Sequence, residues 1–151
     1  MIEIALYQPD IPQNTGTILR TAACLGTPVH IIEPAGFRWS LASFRRAGMD
    51  YVEHVNLTRH NCYEDFIEAT KQKRIVLATT KTTTSYFDFS FQSDDIILFG
   101  RESAGVPQSV HDNHPHQVTI KMQHQTRSIN IAVSAAMISA EALRQVNLTK
   151  L

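Results

Sequence analysis

Arg20 lies in the stretch NTGTILR, six positions after Asn14. A guanidinium stays charged at any working pH, so it can hold a phosphate or stabilise a developing oxyanion. On the polar face of a helix a solvated surface charge is the usual fate of such a residue, and spacing alone favours that reading. A second group of reactive types runs from Asp94 to Asn130: DDIILFGRESAGVPQSV, then QVTIKM, then TRSIN. Gly100 and Gly105 bracket Arg101, Glu102 and Ser103 there, at the end of a short apolar block, which predicts a cofactor pocket where strand ends meet a helix start. The same residues spell G-x-x-S-x-G, one position longer than a nucleophile elbow, and Arg101 occupies the place where the tight turn needs glycine. A serine hydrolase is therefore disfavoured. His111, His114 and His116 crowd together with Asp112, but Pro115 interrupts them and no Glu-x-x-His or Cys pair accompanies them. A solvated loop is the expectation, with a metal site the weaker alternative.

Several elements must position these groups. Ile2, Ile4 and Leu6 alternate with Glu3 and Ala5, which predicts an opening strand. Asn14 is a suitable helix cap, and Ile18, Leu19, Ala22, Ala23 and Leu25 share one face before Gly26 and Pro28 stop the helix. Strands are expected at Val29–Ile32, Tyr51–Val55, Ile75–Ala78, Ile96–Phe99 and from Val118 to Met122. Between the first two, FRWSLASFRRAGMDY is expected to be a loop and short helix. Tyr63, Phe66, Ile67 and Ala69 mark another helix, and TTKTTTS is a polar loop. Tyr86, Phe87 and Phe89 fit a short strand or a packed loop. From Ser128 the pattern turns helical, and its early part is apolar nearly all round, so it is buried or sits in a subunit interface. Strands alternating with helices predict an α/β fold with an open, mostly parallel sheet flanked by helices, and residues 1–151 form one domain.

The composition narrows the function. Lys plus Arg and Asp plus Glu number 14 each, so no global basic footprint announces a nucleic-acid binder, although a local patch remains open. Two cysteines in no CxxC pattern imply no disulfide framework, and Cys24, among Ala22, Ala23 and Leu25, is expected to be a buried thiol. No basic leader with an apolar stretch opens the chain and no apolar run approaches membrane-spanning length, which leads to a cytoplasmic expectation. Neither G-x-G-x-x-G nor G-x-x-x-x-G-K-[ST] occurs, so a Rossmann dehydrogenase or a P-loop nucleotidase is disfavoured.

Taken together, NTGTILR, LFGRESAGVP and VTIKMQHQTRSINIAVSAA resemble the three motifs of the SpoU-type (TrmH-like) methyltransferases of the SPOUT superfamily, over nearly the whole chain. The opening strand, IIEPAGFRW and RRAGMDY are similar to its minimal TrmL-type branch, whose members methylate the ribose 2′-oxygen of the wobble nucleotide in certain leucine tRNAs. The resemblance implies S-adenosyl-L-methionine (AdoMet) as cofactor, a C-terminal deep trefoil knot that builds its pocket, a homodimer with the knot region at the interface, and no metal. Carried over by motif, Asn14, Arg20, Glu102 and Asn130 are the catalytic positions, with Arg20 supplied by the partner subunit. Cofactor contacts map to Ala78, Thr79, Gly100, Glu102, Ile120, Met122, Ser128 and Asn130. Gly100 would let backbone approach the adenosine. Candidates for tRNA contact are Arg38, Arg45, Arg46, Lys81 and Arg127, with Trp39, Phe37 and Tyr51 as stacking platforms. Ala132, Ala140 and Arg101 depart from residues frequent in relatives. The competing expectations are methylation of another RNA such as ribosomal RNA, and a non-catalytic RNA-binding module.

Overall fold

A computed structural model describes residues 1–40, 42 and 53–148. The chain starts in the middle of its own sheet. Strand β1 (Glu3–Tyr7) leads into helix α1 (Pro12–Leu25), then β2 (Val29–Ile32) and β3 (Leu57–His60) build outward to one edge. Helix α2 (Tyr63–Ala69) carries the chain to the other half, where β4 (Ile75–Ala78), β5 (Ile96–Phe99), α3 (Gln108–Asn113) and β6 (Gln117–Val118) follow, and α4 (Ile131–Leu148) closes it. The strand order is β3-β2-β1-β5-β4-β6, with every pairing parallel. The order reverses between β1 and β5, so the loops leaving those two strands diverge at their carboxyl ends, where α/β sheets open a ligand crevice.

Both faces of the sheet are covered, which explains why its strands read as continuous apolar runs rather than alternating ones. Ile4 and Leu6 of β1, Ile97 and Phe99 of β5 and Val76 of β4 face Ile18, Leu19 and Ala22 of α1 and Ala135, Ile138 and Ala142 of α4. The intervening residues Ala5, Tyr7, Leu77, Ile96 and Leu98 face the opposite way, with Phe66 of α2 and Val110 of α3. Gly26 ends α1 in the left-handed conformation at φ 64°, its N–H bonded to the last-turn carbonyls.

Several boundaries differ from expectation for identifiable reasons. Helix α1 is not capped by Asn14: it starts at Pro12 after Ile11. Proline at the first helical position has no N–H to leave unpaired and a preset φ, so Asn14 enters the first turn with its amide free for other work. Leu25 and Cys24 lie exposed instead of buried, because the helix's buried stripe (Ile18, Leu19, Ala22) turns away from them. The strand expected at Tyr51–Val55 is β3 at Leu57–His60; Glu53 and His54 form a 3₁₀ turn, while Tyr51 and Val52 lie outside the described residues. So does most of FRWSLASFRRAGMDY, Arg45 and Arg46 included.

The alternation from Val118 to Met122 is not a long strand. β6 has one strand partner, β4, which ends at Ala78, so the ladder runs out at Val118. Thr119 then bridges Ser85, and its carbonyl accepts the Tyr86 N–H at 3.0 Å. Tyr86 and Phe91 are thereby packed as a loop against the core rather than as a strand. Helix α4 begins at Ile131, three residues later than the pattern from Ser128 predicts, because Asn130 caps it.

Candidate active site

At the carboxyl end of β1 the chain makes a clasp. Asp10 accepts from Arg101 through Nε at 3.0 Å and Nη2 at 2.6 Å, and from the Ser103 N–H at 3.1 Å, with the Ser103 hydroxyl bonded to it as well. The Arg101 guanidinium, then Ser103, hold the Asp10 carboxyl below the usual carboxylate range. The 101–105 loop so anchored is a tight hairpin in which Arg101 and Gly105 exchange both backbone bonds at 2.9 Å. A Cβ on Gly100 would stand 2.6 Å from the Gly105 carbonyl carbon. This backbone-to-backbone approach by itself requires glycine at position 100, which also lines the cavity described below. Gly105 itself turns the chain at φ 65°.

From the clasp a polar chain crosses the molecule. The Asp10 N–H donates to Glu102 Oε2 at 2.9 Å, and Asn14 Nδ2 donates to Glu102 Oε1 at 3.4 Å. Asn14 Oδ1 in turn accepts from Asn130 Nδ2 at 3.0 Å. Asn130 Oδ1 accepts the Ala132 N–H at 2.8 Å and the Val133 N–H at 3.4 Å, which is the geometry of a helix N-cap. One residue from each sequence motif thus joins a single network, and each amide is fixed in orientation by the next.

These groups form one wall of a cavity of about 480 Å³, a volume in the range of small-molecule and cofactor sites. Every position expected to touch a cofactor lines it: Ala78, Thr79, Gly100, Glu102, Ile120, Met122, Ser128 and Asn130. Asn14 and Lys81 line it too, and Leu77, Phe99, Val118 and Ile138 supply apolar floor. Arg20 does not. It is exposed on α1, outside the cavity of its own chain. Arg38 and Arg127 are likewise exposed and outside it, although Arg127 adjoins the lining residue Ser128.

The histidine segment is not a solvated loop. His111 and His114 are buried on and just after α3. His114 Nε2 lies 2.7 Å from the Tyr63 hydroxyl, and burial, then His111, lowers its pKa. His111 lines the cavity and bonds Thr79. Among the described residues no group of His, Cys, Asp and Glu is arranged to hold a metal. Sequence reasoning missed Asp10 and His111 as parts of the site. Asp10 in QPDIPQN sits between two prolines and resembles an ordinary turn residue, whereas the proximity of His111 to β4 is purely tertiary.

Comparison with known proteins agrees with this geometry. The model of the SpoU rRNA Methylase family matches residues 1–140. A tRNA (cytidine(34)-2′-O)-methyltransferase of Beijerinckia indica is 54% identical over 145 residues, 95% of this chain and 91% of that one. A solved structure described as "Structural insights into the 2-OH methylation of C/U34 on tRNA" superposes with a TM-score of 0.91 at 39% identity, covering 100% of this chain and 98% of the other. An AdoMet-bound rRNA methyltransferase from Sinorhizobium meliloti has a TM-score of 0.85 at 26% identity, and matches 95% of this chain but 56% of its own longer chain. The chain belongs to the SpoU rRNA methylase family.

Proposed function

We propose that this protein methylates the ribose 2′-hydroxyl of the tRNA wobble nucleotide, using AdoMet. The observation that carries this reading is the meeting of Asn14, Glu102 and Asn130 along one wall of a cavity whose size suits the cofactor. The lining fits AdoMet chemically: Leu77, Phe99, Val118 and Ile138 offer a dry surface to an adenine ring, and Glu102 offers negative charge to a sulfonium. When bound, the cofactor supplies an electrophilic methyl group. The remaining difficulty is a ribose hydroxyl that is a poor nucleophile until its proton leaves.

Within this reading, Glu102 and Asn14 hold the loop and α1 at a fixed spacing, so that the cavity keeps one shape. Ser128 and Asn130 orient the hydroxyl or the cofactor from the start of α4. Arg20 stabilises negative charge on the attacking oxygen and grips the adjacent phosphate. Because Arg20 is exposed and outside its own cavity, it serves the cavity of a second copy. Support for a homodimer comes from exposed apolar residues on the two helices that would meet: Ile11 before α1, Leu25 at its end and Val133 on α4, between 40% and 49% exposed. The C-terminal trefoil knot implied by the motif resemblance, with residues 1–151 as one domain, would then lie at that interface. Lys81 and Arg127 near the cavity, with Arg38, provide cations for the tRNA backbone. Trp39, stacked on Phe37 with centroids 6.2 Å apart, is a candidate base platform.

Calorimetry with S-adenosylhomocysteine and transfer of labelled methyl into total tRNA test the reading together. Wild type is expected to bind and transfer. Arg20→Ala is expected to bind the nucleoside normally and lose transfer; full transfer by Arg20→Ala refutes its role.

A further inference from the structure

Thr79 and His111, both on the cavity lining, belong to a chain of hydrogen bonds whose geometry fixes its proton positions. Gln117 Nε2 lies 3.1 Å from the His111 carbonyl and 2.9 Å from the His114 carbonyl. Carbonyls only accept, so the amide must present its NH₂ group there, and its orientation is fixed. The same nitrogen lies 3.2 Å from His111 Nδ1. An amide nitrogen has no acceptor capacity, so a proton on Nδ1 would point at another donor. The contact with Gln117 therefore leaves Nδ1 without a proton and places the ring proton on Nε2.

Among the described residues that proton meets Thr79. His111 Nε2 is 3.1 Å from Thr79 Oγ1, so the imidazole donates to the hydroxyl oxygen. The Lys81 N–H donates to the same oxygen at 3.1 Å. A hydroxyl has two acceptor lone pairs and one proton. With both lone pairs occupied, Thr79 can only donate, and it lines the cavity directly after β4. A side chain that is usually ambivalent is here set to one polarity by the neighbouring imidazole and the Lys81 N–H.

We propose that His111 is a positioning residue that fixes the Thr79 hydroxyl as a dedicated hydrogen-bond donor to an acceptor atom of the bound adenosyl cofactor. The proposal rests on the AdoMet reading of the cavity. Thr79 contributes through its side chain, beyond any backbone contact at the strand end. Gln117 lies outside the cavity lining and sets the His111 tautomer, and His111 acts on the cofactor through Thr79.

The test combines S-adenosylhomocysteine calorimetry with the imidazole ¹⁵N spectrum of the full chain. Thr79→Val keeps the shape and removes the donor, and is expected to weaken binding about tenfold, the effect of one hydrogen bond to an acceptor left unpaired. Thr79→Ser restores the hydroxyl and is expected to bind within about twofold of wild type. In transfer assays Thr79→Val should raise the AdoMet KM while kcat at saturation is kept, a split that a merely structural defect would not give. The His111 resonances should report the Nε2–H tautomer in wild type and stay so in Thr79→Val. Unchanged affinity in Thr79→Val, or an Nδ1–H tautomer for His111, overturns the proposal while leaving the cofactor reading intact. Failure of the wild type to bind the nucleoside overturns both.

Discussion

Two polar networks hang on the two ends of β1, and they differ in what they leave open. At the amino end Glu3 accepts from Lys73 and lies 2.9 Å from His30 Nε2, and His30 Nδ1 lies 2.9 Å from His60 Nε2. His30 and His60 stack and pack against Phe66, and the cluster is largely buried. At the carboxyl end Asp10, Arg101, Glu102, Asn14 and Asn130 make a chain of similar length. The first network closes on itself within the protein and ties β1, β2 and β3 together. The second runs along a cavity wall, with Glu102, Asn14 and Asn130 all lining the space. Equal polarity therefore does not mean equal role: one network secures a sheet, whereas the other holds three segments in register around a cavity.

The sharpest way to break this contrast is at Glu102. Glu102→Ala removes the acceptor of both the Asp10 N–H and the Asn14 amide. Methyl transfer is expected to fall by about 100-fold, the scale of a misplaced site, with thermal stability little changed. A variant that transfers normally would put the cavity network on the same footing as the amino-end one. Gly100→Ala comes next, because backbone at 2.6 Å cannot move aside cheaply. It should cost about 3 kcal/mol in denaturant unfolding and open the 101–105 hairpin. Asn130→Ala should cost about 1 kcal/mol through the lost α4 cap, and in addition lower transfer, since Asn14 loses its partner.

The amino-end network predicts a smaller effect, read as stability against pH. Burial, then His30, lowers the His60 pKa from its ordinary 6.5, despite opposition from Asp65. The unfolded chain thus binds more protons than the folded one below that value, so the contribution is present above pH 6.5 and lost as pH falls through the lowered value. His114 has the same sign. Burial alone would raise Glu3, but hydrogen bonds from Lys73 and His30 outweigh it and leave it lowered from 4.5, so its share is lost only on further acidification. Urea midpoints measured from pH 8 to pH 5 should decline, and His60→Gln should flatten the decline. An unchanged slope in His60→Gln would remove His60 from this account.

The sequence made much of the fold legible, because the physics there is local or periodic. Apolar runs such as IVLA and IILF have the lengths of fully buried strands, and both occupy the expected residues. Gly26 stops α1 where a left-handed residue is needed. Errors arose where a neighbour remote in sequence decides. Val118 to Met122 alternates like a strand, but its ladder with β4 stops at Ala78 and only the isolated bridge between Thr119 and Ser85 follows. Asn14 has the chemistry of a cap, yet Pro12 starts the helix first and frees it for Glu102. Of the cavity's lining, the eight cofactor positions carried over from the motif resemblance were legible, since they lie near strand ends and the start of α4. Their support was not: the grip of Asp10 on Arg101 and the bond from His111 to Thr79 link positions 91 and 32 residues apart, and no local pattern announces either.

The most direct test of the central claim is to map the methyl group that the protein adds. Labelled AdoMet and tRNA lacking the wobble 2′-O-methyl are incubated with the protein, and the product is digested and sequenced by mass. The account predicts label on the ribose of nucleotide 34, as in the relatives' described activity. Unlabelled tRNA from a protein that binds S-adenosylhomocysteine, or label on a base or at another nucleotide, would contradict it.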